Sequence, residues 1–162
     1  EYAGEVLPGD STNREGHAAK VYFNCILPDG VTRRGGGFIN GCLNYGYAVL
    51  LSAINREIVA SGYVTQIGVW HDNEFNEFNL GSDLLEPLRT IVDETALNIE
   101  PGDAAFKRKM ANVLNYNVTF GEKSTTLDVA IRQYVKSVLT ALEVNDAEEA
   151  VFPEDAEILY EQ

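Results

Sequence analysis

The sequence predicts a mainly α-helical bundle carrying one small β-hairpin, and three observations lead there. Apolar residues recur at helical spacing over long stretches, above all Asn40–Ser61 and Leu127–Leu142. The stretches end at helix-stopping residues, such as Pro28-Asp29-Gly30 and Gly62. One segment, Asn117–Thr126, alternates at the period of two that suits a strand.

The elements follow in order. Residues 1–11, with Gly4, Pro8 and Gly9, read as a lead-in. A helix runs from Thr12 to about Leu27 and places Glu15, Ala18, Ala19, Tyr22, Phe23 and Ile26 on one face. The glycine-rich stretch Val31–Phe38, with Arg33 and Arg34, is a mobile loop. The next helix puts Leu43, Tyr47, Leu50, Ile54 and Ile58 on one stripe, and Ala48, Val49, Ala53, Val59 and Ala60 widen it. Such a helix belongs at the centre of a bundle. Tyr63–Trp70 is short and irregular. A helix over Leu80–Ala96 turns Leu80, Leu84, Leu88, Ile91 and Thr95 inward and kinks or restarts at Pro87, whose ring removes a helical hydrogen bond. A short helix covers Asp103–Leu114. The hairpin follows, turning at Gly121-Glu122. The last helix buries Leu127, Ile131, Val135 and Val138 or Leu139.

The 162 residues suffice for one core-forming domain, and 45% are hydrophobic, as in ordinary globular chains. No apolar run is long enough to span a bilayer. The first residue is Glu1 rather than Met and no signal-like segment precedes the first helix, so the expectation is a fragment or one domain of a longer protein. Cys25 and Cys42 lie in apolar helical patterns without metal-ligand spacing, and read as reduced core thiols of a cytoplasmic protein. The formal net charge is −13, which opposes phosphate binding. Eight of these negative charges, Glu143, Asp146, Glu148, Glu149, Glu154, Asp155, Glu157 and Glu161, follow the last basic residue, Lys136. Residues 143–162 therefore read as a solvated acidic tail, and the charge of the helical part is much smaller.

The candidate chemistry rests on few residues. Glu15 interrupts an apolar face, where an unpaired charge is costly. Thr12-Asn13-Arg14-Glu15 also matches a capping box, the commoner arrangement. His71 follows the irregular segment among Asp72, Asn73, Asn76 and Asn79, a polar run that suits a ligand-facing loop or any surface loop. Asp83 and Glu86, three apart, share a helical face that Thr90 and Asp93 extend. A solvated stripe and a metal site both fit that spacing. Two carboxylates and an imidazole hold Mg²⁺ or Mn²⁺, the imidazole favouring Mn²⁺.

Four linked runs resemble the type II CRISPR-associated Cas-one family: Asn13-Arg14-Glu15-Gly16-His17-Ala18-Ala19-Lys20-Val21-Tyr22-Phe23-Asn24, Leu43-Asn44-Tyr45-Gly46-Tyr47-Ala48, His71-Asp72-Asn73-Glu74-Phe75-Asn76 and Ser82-Asp83-Leu84-Leu85-Glu86-Pro87-Leu88-Arg89. Their order and spacing match over Asp10 to about Leu142, the family's C-terminal helical domain, and residues 12–142 are its counterpart. The resemblance implies a catalytic metal, Mg²⁺ or Mn²⁺, held by Glu15, His71 and Glu86. It makes Asp83 an accessory acid and matches Arg89, Asn73 and Asn76 to positions near the site. It also implies a CRISPR-adaptation integrase and endonuclease. Such an enzyme inserts spacers by attack of DNA 3′-hydroxyls on repeat phosphodiesters, and nicks DNA when water attacks. The implied partners are double-stranded DNA, as prespacer and CRISPR repeat, and a Cas-two dimer, with homodimerisation in the full-length protein. Arg33, Arg34, Lys107, Arg108 and Lys109 are the candidate phosphate contacts. The family's N-terminal β-rich domain is absent from the sequence, and the acidic tail has no matched counterpart. The rival readings are a catalytically silent helical scaffold of the same fold and a metal-dependent phosphohydrolase of small nucleotides.

Overall fold

Helix α2 (Phe38–Ala60) lies at the centre, and helices α3 (Asn79–Leu85), α4 (Arg89–Leu97), α5 (Phe106–Ala111) and α6 (Leu127–Val144) all pack against it. The structure is a computed structural model and describes residues 13–157. The predicted lead-in 1–11, Thr12 of the capping box and Glu161 lie outside the described residues.

The stripe Leu43, Tyr47, Leu50, Ile54 and Ile58 of α2 is buried as expected. The apolar surface is narrower than the pattern suggested: Ala48 and Ala60 are exposed, and Val59 is 62% exposed. The helix ends in a Schellman motif. Gly62, at φ 88°, donates to Val59 O at 3.0 Å, and Tyr63 donates to Ile58 O at 3.2 Å. Opposite α2, helix α6 turns Leu127, Ile131, Val135 and Leu139 inward. Gly46 lets α4 and α5 close on α2: a Cβ there would lie 2.4 Å from Met110 Cε and 2.6 Å from Val92 Cγ1.

The expected break at Pro87 is a 3-10 turn, Glu86–Leu88, between α3 and α4. Leu80, Leu84, Leu88, Ile91 and Thr95 all face inward across it. Helix α5 is shorter than predicted and runs into a 3-10 turn, Asn112–Asn115.

Helix α1 (Arg14–Ile26) is the least enclosed. None of its residues is buried; Phe23 and Ile26 are partly buried against the core. Cys42 is buried, but Cys25 is exposed, because it faces away from the side that Phe23 and Ile26 dock.

The hairpin is present as β1 (Asn117–Phe120) and β2 (Lys123–Thr126), antiparallel, with Gly121 at φ 61° in the two-residue turn. That sign at the first turn position suits a type II′ turn. The acidic segment departs from a wholly solvated tail. After a 3-10 turn at Ala147–Glu149, strand β3 (Pro153–Glu157) pairs antiparallel with β1, giving the order β2-β1-β3. Main-chain bonding fastens this edge and needs no apolar side chains. Phe152 adds a ring contact to Tyr134 of α6, centroids 5.3 Å apart.

Candidate functional site

The site begins with Asp83 on α3. Its carboxylate is wrapped by the backbone of the preceding loop. Val69 N–H donates to Oδ2 at 2.6 Å, Trp70 N–H to Oδ2 at 3.1 Å and His71 N–H to Oδ1 at 3.0 Å. His71 Nδ1 lies 2.6 Å from Oδ1. Burial alone would push the Asp83 carboxyl up. The bonds from the His71 ring and from the His71, Trp70 and Val69 amides outweigh it and hold the carboxyl below its usual range. With Nδ1–H donating to Asp83, the neutral imidazole carries its free lone pair on Nε2. This is the tautomer that carboxylate–histidine pairs present to a metal.

The loop is shaped to make this contact. A Cβ on Gly68 would lie 2.3 Å from His71 O and 2.7 Å from Asp83 Oδ2, so only glycine fits the approach. Asn79, 4% exposed, donates from its amide to Gln66 O at 2.9 Å and Asn73 O at 3.0 Å. Thr65 Oγ1 donates to Glu77 O at 2.7 Å. Asn73 Oδ1 accepts from Phe75 N–H at 2.9 Å, and Asn76 Oδ1 accepts from Phe78 N–H at 3.0 Å. Both asparagines thus shape the turns beside His71. Trp70 and Phe75 of the same loop are exposed.

Glu86 opens the 3-10 turn after α3, is half-exposed, and pairs with Arg89 at 2.9 Å. Burial pushes its carboxyl above the usual range; Arg89 and His71 pull it down, and Glu15 and Asp83 push it up. Glu15 on α1, His71 on the loop and Glu86 on the 3-10 turn therefore share one electrostatic neighbourhood. Among the described residues, no group of three or more His, Cys, Asp or Glu side chains stands as a formed metal cluster. By residue type, one imidazole and two carboxyls, the set suits a divalent cation, but the structure does not gather the three at one coordination centre.

Asp93 overturns the solvated-stripe alternative for its own position. It is 2% exposed and accepts from Tyr22 Oη at 2.7 Å and from the Tyr47 hydroxyl. Tyr22 of α1 and Tyr47 of α2 cover Asp93 with their hydroxyls, so it is buried while Ile91 and Thr95 keep the inward stripe and Glu86 stays at the surface. Burial, then the Asp93 contact, pushes both tyrosine hydroxyls far up. The Tyr47 ring has Arg33 at 5.4 Å and Arg89 at 5.3 Å from its centroid. Sequence reading missed the joint role of Tyr22 and Tyr47; their hydroxyls sit on an apolar face that disguised them.

Of the candidate basic residues, Arg33 is held in place: it donates to Asn44 Oδ1 at 2.7 Å and lies 5.6 Å from the Phe23 centroid. The loop expected to be mobile is thus pinned at this residue. Arg34 is exposed, and both arginines line a groove of about 840 Å³ with Arg14, His17 and Lys20 of α1. On α5, Lys107 lies over Tyr45 and Phe106, Lys109 pairs with Asp103 at 2.9 Å, and Arg108 is exposed.

A family model described as CRISPR associated protein Cas1 matches residues 12–115, a span that includes Glu15, His71, Asp83 and Glu86. The chain belongs to the Cas1 family. It is 32% identical over 159 residues to a CRISPR-associated endonuclease Cas1 of Neisseria meningitidis serogroup C (strain 8013), covering 94% of the chain and 52% of that protein. A second Cas1 endonuclease, of Francisella tularensis subsp. novicida (strain U112), is 31% identical over 100 residues, covering 56% of the chain and 31% of its own length. The chain thus spans about half or less of the curated relatives it matches. Among solved structures, a casposase bound to integration product superposes with TM-score 0.71 at 24% identity, over 96% of this chain and 55% of that one. A Cas6-RT-Cas1–Cas2 complex superposes with TM-score 0.69 at 22% identity, over 89% and 19%. These likenesses place the Cas1-family chain in a mainly α fold with a small antiparallel sheet. No helix among the described residues is long and apolar enough to cross a membrane.

Proposed function

We infer that this chain is the metal-dependent catalytic part, corresponding to residues 12–142, of a CRISPR-adaptation integrase and endonuclease that joins DNA 3′-hydroxyls to repeat phosphodiesters. The observation that carries this reading is the clamp of Asp83 on His71 Nδ1, which leaves the imidazole lone pair on Nε2, with His71 and Glu15 both within electrostatic reach of Glu86. Glu15, His71 through Nε2, and Glu86 would hold the cation. Held there, Mg²⁺ or Mn²⁺ would supply Lewis-acid chemistry, polarising a phosphoryl oxygen and offsetting the charge that develops on it. Asp83 keeps the proton on Nδ1 and fixes the ring plane. Arg89, paired with Glu86, keeps a positive charge at the edge of the site. Arg14, Lys20, Arg33 and Arg34 give the groove beside α1 the sign that a phosphate backbone needs.

Family membership supports DNA as the substrate. One structural relative is bound to an integration product and the other is a complex with Cas2, which suits double-stranded DNA and a Cas2 dimer as partners. Homodimerisation belongs to the same proposal. The test is Glu86→Ala, assayed for Mn²⁺-dependent strand transfer in the full-length protein with its partner. The folded variant is expected to lose transfer by at least a hundredfold. Wild-type transfer by that variant would reject the site; absence of transfer by the wild-type protein itself would favour the silent scaffold. Faster turnover of mononucleotides than of branched DNA would favour the phosphohydrolase.

A further inference from the structure

Helix α1 carries Glu15 but buries none of its residues, and the groove of about 840 Å³ beneath Arg14, His17 and Lys20 separates part of it from the 32–34 loop. Its apolar hold on the core comes from the partly buried Phe23 and Ile26. Its deepest polar contact is the Tyr22 hydroxyl, which reaches in to the buried Asp93 at 2.7 Å. The same carboxylate takes the Tyr47 hydroxyl of α2, and the Tyr47 ring lies against Arg89, the partner of Glu86. A continuous run of contacts therefore joins α1 to Glu86 through Tyr22, Asp93, Tyr47 and Arg89. Glu15 and Tyr22 are two turns apart on one face, roughly 10 Å along the axis. A bond at Tyr22 consequently fixes both the rotation of α1 about its axis and its tilt, and these decide where the Glu15 carboxylate falls.

We propose that Tyr22 and Asp93 are positioning residues, a tether that aligns Glu15 of α1 with His71 and Glu86. The proposal rests on the metal reading above for its consequence, but the tether itself is testable without metal. Tyr22→Phe removes one hydroxyl and leaves the ring against Phe23. Asp93→Asn keeps the shape and weakens the acceptor. In the full-length protein, hydrogen exchange by mass spectrometry is expected to show residues 14–26 exchanging about tenfold faster in both variants, with α2 and α6 unchanged. Manganese titration read by electron paramagnetic resonance is expected to show about tenfold weaker Mn²⁺ binding by Tyr22→Phe, and no further loss when it is added to Glu15→Gln. Unchanged protection of α1 would overturn the tether. So would a loss of protection shared with α2 and α6, or a Tyr22→Phe effect on Mn²⁺ that adds in full to Glu15→Gln. A wild-type protein that binds no Mn²⁺ would reject the metal reading; exchange of α1 would then decide the tether alone.

Discussion

Replacing Gly68 with alanine tests how the loop holds His71. The added Cβ meets His71 O at 2.3 Å, Asp83 Oδ2 at 2.7 Å and Asn79 Cβ at 3.1 Å. None of the three can yield freely. The first is backbone, Asp83 is held by the amides of residues 69–71, and Asn79 bridges Gln66 and Asn73. Overpacking of this kind costs about 1–3 kcal/mol. Pulling the carboxylate away from even one of its donors adds about 1.5–3 kcal/mol, because the bond is charge-assisted. The expected sum is about 3 kcal/mol or more. For a domain of this size that lowers the melting temperature by roughly 6–12 °C. The imidazole ¹⁵N spectrum should at the same time lose the Nδ1–H tautomer as its dominant form. Melting within 1 °C of the wild type, with the tautomer unchanged, would refute the clamp.

Three further outcomes are expected. Asp83→Asn takes away the carboxylate that accepts from His71 Nδ1–H and should weaken Mn²⁺ binding about 10- to 100-fold, the usual effect of losing a carboxylate behind a ligating imidazole, as read by calorimetry. Gly46→Ala forces a methyl group toward Met110 and Val92 and should cost about 1–3 kcal/mol in urea unfolding; adding Val92→Ala should relieve part of the crowding penalty, giving a non-additive double-mutant cycle. DNA binding should weaken steeply with salt, and Arg34→Ala should lower the slope of log K against log salt by about one; a flat dependence argues against phosphate contacts.

Much of the architecture could be read from periodicity. Helices α2 and α6 carry apolar stripes too long and regular to fit another element, and Pro87 marks its own break. Gly121-Glu122 identifies the turn. Strand β3 was hidden because Pro153, Glu154 and their acidic neighbours look like solvated chain, and backbone pairing leaves no side-chain signature. The site was legible only in part. Glu15, His71 and Glu86 came from the four motifs that resemble a known family; residue spacing by itself favoured a cap for Glu15 and a solvated stripe for Asp83 and Glu86. The clamp could not be read at all, since Gly68 matters for the space it leaves empty. Asp93 read as surface because the groups that cover it, Tyr22 and Tyr47, come from other helices.

The three-residue 3-10 turn at Glu86–Leu88 also has a mechanical consequence. A continuous rod from Asn79 to Leu97 would carry any tilt of one end straight to the other. The interruption divides that rod, so α4 packs against α5 while Asp83 of α3 holds the His71 loop. Glu86 opens the interruption at the surface, while Leu88, which closes it, is 1% exposed and anchors it in the core.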